Sequence, residues 1–146
     1  MLFDSTGLYF VRNRSTTAEV IRLSTGEFQV WVPGNLGSLL RADHILAVPP
    51  LAERLVALCG DDLRMRPTRV LRRATNEAWP YCELMPFTEI AIPDDVSAAL
   101  ASSVRVWRCG RYLLVHNTIK QKLDALDFPD LVFDPNLGQL INFGGP

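Results

Sequence analysis

The sequence predicts an α+β fold: a small N-terminal antiparallel sheet followed by two similar strand–helix–strand units packed as one compact domain. Three observations carry that expectation. The first thirty residues read as short strands broken by turn residues. Residues 104–135 read as strand, capped helix and strand. That second pattern also occurs 68 residues earlier in the chain, with no gap needed to align the two copies.

The N-terminal β region spans 1–33. Gly7 to Val11 and Ala18 to Leu23 are candidate strands, Ser24, Thr25 and Gly26 supply a turn, and Glu27 to Val32 forms a third strand. Phe28, Val30 and Val32 share one face of it, and Glu27, Gln29 and Trp31 the other. Pro33 to Gly37 makes a turn. No Lys-Ser/Thr pair follows and no GxGxxG spacing exists, so its glycines do not form a phosphate loop. Residues 38–43 are expected to make one helical turn.

The first unit, 44–73, opens with the strand-like Ile45 to Val48, and Leu51, Leu55 and Leu58 then line one helical face. Thr68 to Arg72 continues a strand beyond Met65. The connecting region, 79–103, holds a strand from Trp79 to Met85 that should pair with its predecessor across a break at Asn76 and Glu77. A short helix with Val96 and Leu100 on one face follows the cap at Asp94 and Asp95. In the second unit, 104–135, Val104, Val106 and Tyr112 to Val115 favour extended chain around a turn at Gly110 and Arg111. Asn117 then caps a helix with Ile119, Leu123 and Leu126 on its apolar face. Pro129 stops that helix, and Leu131 to Phe133 forms the last strand. Between the units Leu46 matches Leu114, Leu51 falls where Ile119 does, and Leu55 matches Leu123. Asp62 and Leu63 match Asp130 and Leu131, and Pro67 matches Pro135. The tail, 136–146, should lie against the body, because Leu140, Ile141 and Phe143 are costly to leave wet.

A hydrophobic content of 48% supplies a core for one domain, and charged residues make up 21%. No run of 18 apolar residues is present, so no helical membrane span is expected. An acid at position 4 and the missing basic-then-apolar order argue against a secretory signal and for the cytoplasm. The three cysteines, Cys59, Cys82 and Cys109, are far apart and lack a CxxC pair, which predicts free thiols. Net charge is −1, but residues 1–73 carry +3 and residues 74–146 carry −4, an asymmetry able to orient a partner.

Catalytic chemistry has little to build on. His44 precedes one strand and His116 ends another, with neither HExxH nor a Cys/His cluster near them, so no metal and no cofactor are expected. An enzyme or ligand-binding domain would need a polar pocket assembled around His44 or His116, for example Cys59 with His44 or Cys109 with His116. The basic stretch from Arg64 to Arg73 would suit a nucleic-acid-binding accessory protein if its arginines formed one exposed strip. Partner binding is the better-supported class. Trp31 and Trp79 stand beside turn prolines as candidate anchors, whereas Trp107 belongs to the core. Glu89, Asp94, Asp95, Asp124, Asp127 and Asp130 concentrate negative charge in the second half.

The pieces 46–67, 68–71, 79–85, 92–95 and 106–135 resemble, in that order, the two-unit immunity proteins of bacterial polymorphic and contact-dependent toxin systems, known in myxobacteria and other proteobacteria. The resemblance covers about two-thirds of the chain, from Leu46 onward. It implies a non-enzymatic protein that binds and occludes a cognate toxin. It lies in scaffold positions and transfers no contact residue. For a nuclease toxin, the acidic half would imitate phosphate in the basic cleft. Stoichiometry and oligomeric state do not follow from the sequence.

Overall fold

The computed structural model describes residues 7–41, 44–123 and 128–135. Its ten strands and three helices form an α+β arrangement of two sheets. The strands are β1 (Leu8–Asn13), β2 (Glu19–Arg22), β3 (Phe28–Val32), β4 (Leu39–Arg41), β5 (Ile45–Ala47), β6 (Leu63–Arg72), β7 (Glu77–Pro86), β8 (Val106–Cys109), β9 (Tyr112–His116) and β10 (Leu131–Asp134). The helices are α1 (Pro49–Cys59), α2 (Val96–Ala101) and α3 (Asn117–Lys122). Strand order is β10-β1-β9-β8 in one sheet and β2-β3-β6-β7-β5-β4 in the other.

The N-terminal strands do not make a sheet of their own, contrary to expectation. β1 runs antiparallel between β9 and β10, while the β2–β3 hairpin joins the larger sheet through a parallel pairing of β3 with β6. Burial explains the separation. Leu8, Phe10 and Val11 are all at most 2% exposed, so β1 needs cover on both faces and takes a central position. The helical turn expected over 38–43 is also absent, because Leu39 to Arg41 pair with Ala47 to Ile45 as β4.

Each helix-bearing stretch encloses a strand drawn from elsewhere. β5 and β6 both lie antiparallel to β7, so they are parallel to one another with β7 between them. β9 and β10 flank β1 in the same manner. Element starts also keep the sequence offset, with Pro49 opening α1 and Asn117 opening α3, and Leu63 opening β6 and Leu131 opening β10.

α1 and α3 pack in the central core between the sheets. Ile45, Leu51, Leu55 and Leu63 meet Val115, Ile119, Leu123 and Leu131 there. α2 covers the outer face of the smaller sheet, where Val96 and Ala99 meet Leu8, Phe10, Trp107 and Leu114. Because that sheet is covered on both sides, Val106 and Trp107 are both buried despite their opposite phases. The larger sheet curls until β2 approaches β4. Val20, Phe28, Leu40, Leu46, Val70 and Tyr81 fill the inside of the curl.

Asp130 joins the two sheets. Its carboxylate accepts from the Ser38 backbone N–H at 2.7 Å and the Ser38 hydroxyl at 2.8 Å, while its carbonyl accepts from the Arg14 N–H at 2.6 Å. Asp130→Ala should therefore cost about 1–2 kcal/mol, readable as a lower denaturant midpoint with an unchanged slope.

Candidate functional site

On β3, alternation turns Phe28 and Val30 into the curl and Gln29 and Trp31 outward. Trp31 is 68% exposed, and Ile21, whose cross-strand partner is Gln29, is 41% exposed. Half-buried Leu71 stands on the other side of Gln29. Val32, at the strand end, is also exposed. A groove of about 460 Å³ runs alongside, lined by Gln29, Pro33, Gly34, Arg72, Arg73 and Ala74. Apolar side chains ordered on strands and left in water, next to a groove with a basic rim, form a surface suited to a protein partner.

Trp79 does not belong to this surface. It is paired with Val70, itself paired with Phe28, and so packs with the inside of the curl on the opposite face of the sheet from Trp31. The Arg72 guanidinium covers its ring, 5.3 Å from the centroid. The two tryptophans named as candidate anchors are therefore separated by the sheet, because β3 and β7 present them in opposite phases.

The acidic candidates disperse in a similar way. Glu89 is exposed on a backbone segment that pairs in parallel with Arg108 of β8, Asp94 is exposed just before α2, and half-buried Asp95 accepts from the Ala91 N–H at 2.8 Å. Half-buried Asp130 directs its carboxylate inward to Ser38. Asp124 and Asp127 lie outside the described residues. Glu89, Asp94 and Asp95 thus flank the smaller sheet, while Trp31 projects from the larger one.

The only buried charged residue among those described is Glu83, which is 5% exposed. On β7 it alternates inward with Trp79 and Tyr81, opposite Arg66 on β6 and Leu46 on β5. His44 Nδ1 lies 2.7 Å from one carboxylate oxygen, and Arg66 Nη2 donates to the other. Arg66 Nη2 also donates to the Gly26 carbonyl at 3.2 Å, where the Thr68 hydroxyl donates at 2.7 Å. Gly26 is needed twice. Its φ of 88° makes the β2–β3 turn, and a Cβ there would stand 2.9 Å from Arg66 Nη1. Burial pushes the Glu83 carboxyl up, but the Arg66 hydrogen bond and the charges of His44, Arg66 and Arg22 outweigh it and hold the group below its ordinary value. The result is an ionised plug at one end of the curled sheet.

A carboxylate-oriented imidazole is a recurrent catalytic element, yet among the described residues this one faces no nucleophile. Its Nε2 is met by Arg22 Nη1 at 3.5 Å, and its ring packs edge-on to Phe28 with centroids 5.6 Å apart. Cys59 belongs to the core on the other face of the sheet. Burial, with Asp62 nearby, pushes its thiol up to about 12, so it is poorly reactive. His116, not Asn117, caps α3: its Nδ1 accepts from the Thr118 N–H at 3.1 Å. Burial and then Arg105 lower its pKa, favouring the neutral ring that can accept. Cys109 pairs with Tyr112 at the far end of β9, roughly 13 Å along the strand from His116. Neither Cys–His pair assembles. Among the described residues no three His, Cys, Asp or Glu side chains group as metal ligands, and no helix is long and apolar enough to cross a membrane.

The arginines from Arg64 to Arg73 do not form one strip. β6 runs unbroken through Pro67, so Arg64, Arg66 and Arg72 share a face and Arg69 takes the other. Arg64 stacks over Phe87 at 4.6 Å, Arg66 holds Glu83, and Arg69 pairs with Glu27 at 2.5 Å. Arg64, Arg66 and Arg69 are thus each matched to a neighbour of their own.

Together these features define a two-sheet α+β protein with an apolar outer patch and a buried polar plug. No protein-family model matches the chain, and no curated protein matches its sequence.

Proposed function

We propose that this is a non-enzymatic immunity protein that binds a cognate bacterial toxin in the cytoplasm and occludes its working surface, with Trp31 as the central anchor. One observation carries the reading: a tryptophan 68% exposed beside an isoleucine 41% exposed, both on strands of a packed sheet. Holding such side chains in water is unfavourable for an isolated protein and favourable for one that buries them on a partner. The strand–helix–strand stretches are, in this reading, two copies of one unit, each closed by an inserted strand. They make a rigid support, so that little ordering entropy is lost on binding.

Tight occlusion requires about 1,200–2,000 Å² of buried surface, which the β2–β3 face and its groove would begin and neighbouring surface complete. Glu89 and Asp94, the exposed acids before α2, would serve a secondary contact with a basic toxin. The test is co-purification of the tagged chain from its native cells, followed by expression of the captured protein with and without it. A captured protein that arrests growth alone and is silenced by co-expression supports the proposal. Capture of no toxic partner rejects it.

A further inference from the structure

A polar cleft of about 400 Å³ lies outside the surface assigned to the toxin, within the roughly 300–1,000 Å³ typical of small-ligand sites. Three arginines reach it from separate segments: Arg12 from β1, Arg14 from the loop after it, and Arg111 from the β8–β9 turn. Ser15, Thr16 and Thr17 add hydroxyl groups to the lining. The pairing of β1 with β9 explains the convergence. Val11 stands opposite Leu113, so two further residues carry β1 alongside Arg111.

The backbone beneath the cleft is anchored. The Asn13 side-chain amide donates to the Leu39 carbonyl and accepts from the Leu39 N–H, and the Arg14 N–H is held by Asp130. Arg14 and Arg111 are exposed at their side chains. Arg12 is partly offset by Asp134, whose carboxylate lies 3.4 Å from its Nε, and among the described residues Glu19 is the one acid in the lining. Positive charge therefore prevails here, in a chain whose net charge is −1. Guanidinium forks joined by hydroxyl donors match the oxygen geometry of a phosphate group. The concave shape suits a compact ligand better than a duplex backbone.

We propose that this cleft binds the phosphate groups of a small phosphorylated molecule of about nucleotide size, with Arg14 and Arg111 gripping the oxyanion. Titration calorimetry of the full chain with pyrophosphate, ADP and adenosine tests it. Pyrophosphate and ADP should bind saturably, more weakly as salt rises, and adenosine should not bind. Arg14→Ala with Arg111→Ala should weaken both phosphates at least about tenfold, as expected for lost charge-assisted bonds. Arg64→Ala, on β6 over Phe87, should leave phosphate affinity unchanged. Arg111→Glu alone provides an independent reading on an exposed turn and should abolish binding. No saturable binding, equal affinity in the arginine variants, or adenosine binding as well as ADP would overturn the proposal. So would an oligonucleotide that pyrophosphate cannot displace.

Discussion

Replacing Glu83 with alanine is expected to lower the unfolding free energy by about 3 kcal/mol, since removing one partner of a buried ion pair strands the others. The loss has three parts in the structure. Arg66 loses its carboxylate while still pointing toward the Gly26 carbonyl, His44 loses the acceptor at Nδ1, and Arg22 is left facing an imidazole with no anion behind it. Glu83→Gln keeps the shape and one acceptor and should cost less. Acid reads out the same interaction. The folded-state pKa of Glu83 lies below its ordinary value of 4.5. Its contribution is therefore fully present above about pH 4.5 and is lost as pH falls through the folded value. Urea unfolding of parent and Glu83→Gln across this range should converge toward low pH. Parallel curves would show that the plug contributes nothing through its charge.

Trp31→Ala should weaken binding of the captured toxin by about a hundredfold, the effect of removing a central aromatic anchor, while leaving stability within about 0.5 kcal/mol because the side chain is largely in water. The separation of these two readouts is the informative part. Trp79→Ala should behave in the opposite way, destabilising the fold through the lost packing with Phe28 and Arg72 and leaving affinity nearly intact. Surface plasmon resonance on both variants, with thermal melts alongside, would show whether the outer face of β3 is the binding surface. Equal affinity of Trp31→Ala and parent would remove that face from the interaction.

Much of the local structure was legible because it rests on short-range physics. The β2–β3 turn follows from Gly26, the β6–β7 turn from Asn76 with φ 56°, and the central face of α1 from leucine spacing, whereas Leu126 of the face expected after Asn117 lies outside the described residues. The candidate surface was half legible. Trp31 was identifiable beside Pro33, but Trp79 carried the same signal and lies half-buried on the opposite face of the sheet. Glu83 gave a subtler sign, since it continues the alternation of Trp79 and Tyr81 on the face turned inward. Nothing local distinguished it from the exposed Glu89, because its partners are 39 positions upstream at His44 and 17 at Arg66. Asp130 looked like an ordinary turn acid until Ser38, 92 positions away, came to meet both its oxygens.

By itself the order of residues determined roughly where most strands and the helices lie, the 68-residue recurrence of a strand–helix–strand pattern, and the absence of any motif that binds metal by local spacing. Those properties depend on neighbours within a turn or two of backbone. The tertiary structure alone decided that β1 leaves its neighbours to lie between β9 and β10, that Glu83 is buried with His44 and Arg66, and that Arg12, Arg14 and Arg111 converge. Strand pairing explains the difference. A ladder joins residues of any sequence separation, and which partner a strand takes depends on the surface both its faces must bury.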